Sequence, residues 1–248
     1  MDAHVTGRTR TASPYLVTMV AVLALLGAPP AGGAAESDYQ TASLRFFESS
    51  PGRASGYRVR IDYTNPDDPE AKPPSVRRVV ELFARGTGID TRAPARCTAT
   101  DAGLMAIGRA ACPKSSVVGG GFIRLDTGIP GPGRYLEEDV TFLNNTDELI
   151  YLTQDRANGA RTVFRARVSG RRVVSHAPFL PGAPPDGTAI DVVRAHFPRL
   201  VRMRDGTRRA YVTTPRRCPT RGFWANSVRF TYGDGTTQTE TNRSPCRG

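Results

Sequence analysis

The segment GFWANSVRFTYGDGTTQTETNRSPC, residues 222–246, decides the fold class. Within residues 224–232 every second side chain is large and apolar, apart from Asn226, and the side chains between them are small or polar. A period of two is typical of a strand that buries one face. The dipeptide Asp234-Gly235 is a strong hairpin-turn signal, and a threonine-rich segment follows it. The sequence therefore predicts an antiparallel hairpin that ends at Cys246.

The same alternation recurs earlier in the chain. In residues 57–63, YRVRIDY, aromatic and branched side chains alternate with Arg58, Arg60 and Asp62. Segments with strand composition follow one another between short turns rich in glycine, proline and aspartate: 41–47, 76–84, 139–145, 148–154, 161–170 and 189–197. We therefore predict an all-β protein, an antiparallel β-sandwich with Greek-key or jelly-roll-like connections rather than a closed barrel.

The four cysteines form two local pairs in the sequence. Three disulfide connectivities are possible, and the sequential one closes the shortest loops, so we predict that Cys97 bonds Cys112 and that Cys218 bonds Cys246. Between the first two cysteines, Thr100 or Asp101 is suited to cap one short helix. A zinc site is the alternative use of four cysteines, but the Cys-x-x-Cys spacing typical of such sites is absent from the sequence.

The N-terminus has the layout of a secretory signal peptide. Arg8 and Arg10 precede an apolar run over residues 16–26, and small residues lead up to Glu36. The run is shorter than the roughly 20 residues that a membrane-spanning helix needs. We predict a signal peptide over residues 1–35, one disulfide-stapled domain over residues 36–248, and no transmembrane segment after cleavage.

Basic residues exceed acidic ones, and the formal net charge is +11. All but two basic residues of the predicted mature chain are arginines, a bias that a GC-rich genome also produces. Alternation places arginines in pairs on single strand faces, and these pairs are possible contacts to anionic polymers: Arg58 with Arg60, Arg165 with Arg167, and Arg202 with Arg204. A solvated sheet face explains the same pattern.

Catalytic motifs are absent from the sequence. After residue 35 the only histidines are His176 and His196, and neither Gly-x-Ser-x-Gly nor His-Glu-x-x-His occurs. Ser175 and His176 are neighbours, but adjacent strand residues point to opposite faces. We predict no catalytic, cofactor-binding or metal site and no cofactor.

Two groups of acids keep other interpretations open. A glycosidase requires two acids that face each other across a cleft, and the candidates by residue type are Glu137, Glu138 and Asp139 and the cluster Asp67, Asp68 and Glu70. The segment DYTNPDDPE, residues 62–70, offers oxygen atoms that calcium prefers, without the EF-hand spacing. A carbohydrate-active hydrolase or a carbohydrate-binding domain is therefore the alternative function.

Two stretches carry a resemblance: RCTATDAGLMAIGRAACPKSSVVGGG at residues 96–121 and TTPRRCPTRGFWANSVRFTYGDGTTQTETNRSPC at residues 213–246. They resemble segments of secreted, disulfide-containing β-rich proteins of high-GC bacteria for which no activity is known. The resemblance implies export and disulfides, and it implies no catalytic or ligand residue.

Together these observations favour an exported, non-enzymatic scaffold, secreted or associated with the cell envelope, with a binding or structural role. The expected partners are anionic envelope polymers or glycans. Specific recognition of nucleic acid is not expected, because Tyr57, Phe164 and Tyr211 are assigned to buried faces and so cannot stack on bases.

Overall fold

Strands dominate the computed structural model, which describes residues 38–248. They are β1 (Gln40–Phe46), β2 (Tyr57–Tyr63), β3 (Val76–Leu82), β4 (Gly88–Ile89), β5 (Val117–Asp126), β6 (Tyr135–Asn145), β7 (Glu148–Asp155), β8 (Arg161–Ser169), β9 (Arg172–His176), β10 (Ala189–Phe197), β11 (Val201–Arg204), β12 (Thr207–Ala210), β13 (Val212–Thr213), β14 (Phe223–Tyr232) and β15 (Thr237–Pro245). One α-helix, α1 (Asp101–Ile107), and two 3₁₀ turns, Gly108–Ala111 and Lys114–Ser116, complete the secondary structure of this part of the chain.

Eleven strands form one antiparallel sheet in the order β1-β2-β10-β5-β6-β7-β8-β9-β3-β14-β15. The remaining strands of the described region make two small sheets, β11 with β12 and β4 with β13. The predicted all-β, antiparallel fold is thus confirmed. The sheet curls until its first and last strands lie side by side, so the sandwich is nearly closed in the manner of a barrel.

Side chains close the seam between β1 and the β14–β15 hairpin. The Gln238 Oε1 atom accepts the Tyr39 N–H at 2.9 Å, and the Ser244 Oγ atom accepts the Phe46 N–H at 3.1 Å. Asn226 donates to the Leu44 carbonyl at 3.1 Å. Unpaired N–H and C=O groups at a strand edge are costly when buried, so these inward polar side chains take the place of a backbone ladder.

The inward faces form the core as the alternation predicted. In β2, Tyr57, Val59, Ile61 and Tyr63 are buried and the residues between them are exposed. The inward residues of β14, from Trp224 to Tyr232, are likewise all buried. The Tyr57 ring stacks on Phe197 with 4.2 Å between centroids. The core therefore lies inside the curled sheet.

Both predicted disulfides are present, Cys97–Cys112 and Cys218–Cys246, and the described region has no free cysteine. The first encloses α1, where the Thr100 hydroxyl accepts the Gly103 N–H and Gly108 ends the helix with a positive φ of 62°. Leu104 of this helix packs with both cysteines in a second, smaller core outside the sheet. The zinc alternative is wrong because the thiols are bonded to one another.

An irregularity in β3 reverses the phase of its alternation. The register with β14 shifts between the pairs Val76–Tyr232 and Arg78–Thr231. A bulge of this kind moves the following side chains to the other face. Val76 is buried in the core, yet Val79 and Glu81, rather than Arg78 and Val80, face the interior after it. This phase change shapes both sites described below.

The predicted signal peptide, residues 1–35, lies outside the described residues. Residues 38–248 belong to one compact unit. None of their helices is both long and apolar enough to cross a membrane.

Candidate functional site

A basic groove runs along the outer face of β8, β9 and β3. Its volume is about 760 Å³. Its basic side chains come from all three strands and from the turn between β8 and β9: Arg78, Arg165, Arg167, Arg171, Arg172 and His176. The groove's lining, all of it within residues 38–248, includes no acidic side chain. We call this surface the arginine groove.

Three guanidinium groups of the arginine groove are free. Arg78, Arg167 and Arg172 make no side-chain hydrogen bond or ion pair with any residue in the range 38–248. By contrast, Arg165 pairs with Asp101 at 2.8 Å and with Glu148 at 2.7 Å. Because each free arginine comes from a different strand, β3, β8 and β9 each contribute one unpartnered cation.

The floor of the groove is apolar. Leu82 and Val174 line it, and the buried Val80 is the direct strand partner of Val174. Arginine stems can cover such a surface while their charged heads remain in water. A planar guanidinium binds phosphate and carboxylate oxygens through paired N–H donors. The groove therefore has the chemistry to hold an extended anion above an apolar strip.

The three arginine pairs predicted from the sequence do not form one surface. Arg165 and Arg167 lie in the arginine groove, whereas Arg58 and Arg60 lie on the outer face of β2, on the opposite side of the curled sheet. The depression there measures about 430 Å³ and includes Arg194, which is ion-paired with Asp62. It is smaller and carries less free charge than the arginine groove.

The third pair lies on the β11–β12 hairpin. Arg202 and Arg204 are exposed, and Arg204 donates to the Ala93 carbonyl at 3.3 Å. On the neighbouring strand, Arg209 lies 3.6 Å from Asp90. This hairpin pairs with neither the large sheet nor the small β4–β13 sheet, so its arginines do not extend the arginine groove.

Sequence reasoning missed three residues of the groove: Arg78, Arg171 and Arg172. Arg78 reaches it because β3, far earlier in the chain, pairs with β9. Arg171 lies in the β8–β9 turn and Arg172 begins β9. No alternation pattern in the sequence singled out either residue. No known protein family, curated protein or solved structure matches this chain. The interpretation of the groove therefore rests on its geometry and charge.

The acids of the hydrolase alternative face opposite sides of the sheet. Glu137 and Asp139 point outward, and both are ion-paired with Arg156, at 3.1 and 2.7 Å. Glu138 points inward, opposite Asp155 in the register, and borders an internal cavity of about 90 Å³. That cavity is far smaller than the roughly 300–1,000 Å³ of a typical ligand pocket. The observed placement does not supply a glycan-sized cleft between these acids.

The acidic loop after β2 borders a larger cleft of about 680 Å³. The basic side chains that line this cleft already have partners within the protein. Lys72 donates to three backbone carbonyls of residues 183–187, and Arg134 pairs with Asp126 at 3.1 Å. Asp62, an acid of the calcium alternative, pairs with Arg194 instead. Among residues 38–248, no three His, Cys, Asp or Glu side chains are grouped to hold a metal ion.

The aromatic ring of Phe223, which lies among surface arginines, is already covered. Phe223 lies between Arg221 and Arg243, whose guanidinium carbons are 4.8 and 4.7 Å from the ring centroid. Tyr57 and Tyr211 are buried, as the sequence predicts. A base that stacked on Phe223 would have to displace an arginine, so this surface is poorly suited to single-stranded nucleic acid.

Proposed function

We propose that this protein is an exported, non-enzymatic binding protein that holds anionic polymers of the cell envelope in the arginine groove. One observation carries the proposal: Arg78, Arg167 and Arg172 extend three unpartnered guanidinium groups from three adjacent strands into one concave surface. Neighbouring strands lie about 4.8 Å apart, so one extended polymer can contact all three.

Charge and shape support the same interpretation. Clefts lined by one sign of charge concentrate counter-ions and speed their association. A polymer with phosphate or carboxylate groups displaces several bound ions at once, which gives cooperative but salt-sensitive binding. The formal net charge of +11 adds a long-range attraction that is not specific to the groove.

Two features support export. Two disulfides are typical of proteins in oxidising compartments outside the cytoplasm. The sequence of residues 1–35 has the order expected of a signal peptide. A binding protein that meets envelope polymers would act in that compartment.

Binding to isolated cell envelopes tests the proposal. We expect Arg78→Gln/Arg167→Gln/Arg172→Gln to weaken co-sedimentation of the oxidised protein by about tenfold or more, because each lost phosphate or carboxylate contact weakens binding. The matched control is Arg45→Gln/Arg58→Gln/Arg60→Gln, which removes the same charge from three exposed arginines of β1 and β2 that make no side-chain hydrogen bond or ion pair within residues 38–248. We expect this control to retain binding within about threefold.

The two variants distinguish binding at the arginine groove from attraction by the net charge of the protein. Equal losses in both would show that net charge alone attracts the protein to envelopes, and the proposal would fail. A larger loss in the control would move the site to the outer face of β2. If neither variant weakens binding, or the wild-type protein binds no better than a folded protein of equal charge, the groove is not a polymer site.

A further inference from the structure

The interior of the curled sheet contains a cavity of about 90 Å³ beneath the proline-rich connector between β9 and β10. Its wall combines aromatic rings, hydroxyl groups and one carboxylate: Tyr63, Tyr151, Phe164, Thr153, Ser175 and Glu138. The Oγ atom of Ser75, which also lines it, is buried and has no hydrogen-bond partner. An unpartnered hydroxyl beside an empty space is a donor and acceptor available to a ligand.

A second carboxylate lies in the next layer of inward side chains. Val79 lines the cavity, and Glu81 is the next inward residue of β3 after Val79. On the neighbouring strands, Glu81 lies opposite Val173 and Val228. Both valines are buried, yet Glu81 retains accessible surface. Glu81 points into the interior but is not itself part of the cavity lining. Successive inward residues are about 7 Å apart along a strand, so Glu81 lies close to the inner end of the cavity.

The interior is acidic, although the outside of the protein is basic. No lysine or arginine in the described chain bonds to Glu81 or Glu138. The one basic residue of the cavity lining is Arg77, which is ion-paired with Asp186 at 2.9 Å and lies over the Phe179 ring. Two inward carboxylates without a cationic partner are costly to bury, and a bound cation would offset that cost.

We propose that this cavity binds a small organic cation, held by the aromatic rings of Tyr63, Tyr151 and Phe164 and by the carboxylate of Glu138, with the negative charge of Glu81 one inward position beyond the lining. Aromatic faces attract ammonium groups, and rings around a quaternary ammonium form a common recognition cage. The carboxylates distinguish this site from a purely apolar pocket, because they favour a cation over a neutral ligand of the same shape.

The volume limits the ligand to a few heavy atoms. A cavity of about 90 Å³ equals roughly three water molecules' share of the liquid. A methylated ammonium ion with four or five heavy atoms is of this order. Tetramethylammonium is therefore a suitable probe, and tert-butanol is a neutral probe of similar size and branching.

Titration with the two probes tests the site. Burial raises the pKa of Glu81 to about 7 and also raises the pKa of Glu138, so we choose a pH of about 8.5 to ionise both. We expect saturable binding of tetramethylammonium by ligand-observed NMR, and binding of tert-butanol at least about tenfold weaker. Glu81→Gln/Glu138→Gln should weaken tetramethylammonium binding about tenfold or more and leave tert-butanol unchanged.

Glu70→Gln/Glu137→Gln is the matched control, because it removes the same charge from two exposed carboxylates. It should bind both probes as the wild-type protein does. Should the interior double variant not fold, Glu138→Gln alone carries the same expectation. Absence of saturable binding, tert-butanol binding as tight as that of tetramethylammonium, or equal cation binding in the interior variant would each overturn the proposal.

Discussion

Asn226→Ala is expected to lower the free energy of unfolding by about 3 to 5 kcal/mol, since it removes three buried hydrogen bonds at the seam. The Asn226 side chain accepts the Ala84 N–H and donates to the Leu44 carbonyl and the Ser244 hydroxyl. Alanine would leave the Ala84 N–H and the Leu44 carbonyl buried without partners. Each such group costs about 1 to 3 kcal/mol.

Asn242→Ala is the matched control for the seam. Asn242 lies directly opposite Asn226 in the hairpin and is also buried, but its amide nitrogen has no hydrogen-bond partner. Removing an unpartnered donor should change stability by less than about 1 kcal/mol. Urea unfolding of both variants measures the difference. Equal effects would contradict the role of Asn226 in closing the sheet.

Glu81→Gln is expected to stabilise the protein at alkaline pH. Burial raises the pKa of Glu81 from 4.5 to about 7, which corresponds to a cost of up to about 3 kcal/mol for its ionised form. The side chains that face it, Tyr57, Tyr63, Tyr151 and Tyr211, have pKa values raised by burial and stay neutral. They supply no charge that would offset the cost.

The sign of the pH dependence follows from proton binding. Between pH 4.5 and about 7 the folded protein keeps the Glu81 proton that the unfolded chain releases, so the contribution of Glu81 to stability falls as the pH rises. Denaturant unfolding at several pH values should therefore show the variant and wild type diverging from about pH 4.5 and reaching their full difference near pH 8. A difference that does not depend on pH would show that Glu81 is not buried as described.

Local patterns predicted much of this fold. The alternation in β2 and β14 identified the buried faces, and the cysteine spacing identified both disulfides. Thr100 and Gly108 mark the limits of α1. Each of these features depends on residues close together in the sequence, where period, turn and cap preferences act directly.

Long-range features escaped prediction. The extent of sheet closure depends on β1 meeting β15 at the other end of the described chain, through side chains such as Gln238 and Ser244. The bulge in β3 reverses the apparent phase of VRRVVEL, so the apolar pattern alone does not place Glu81 inside or Arg78 outside. Only the non-local pairing of β3 with β9 brings Arg78 to Arg167 and Arg172.

The salt dependence of polyphosphate binding tests the central claim most directly. Calorimetric titration of the wild-type protein and of Arg78→Gln/Arg167→Gln/Arg172→Gln across a salt series gives the number of ions released on binding. If the groove holds the polymer, the slope of log K against log salt should become less steep by about 2 in the variant, since each flexible-chain phosphate contact contributes about 0.7. The same slope in both proteins would contradict the assignment of the arginine groove as the binding site.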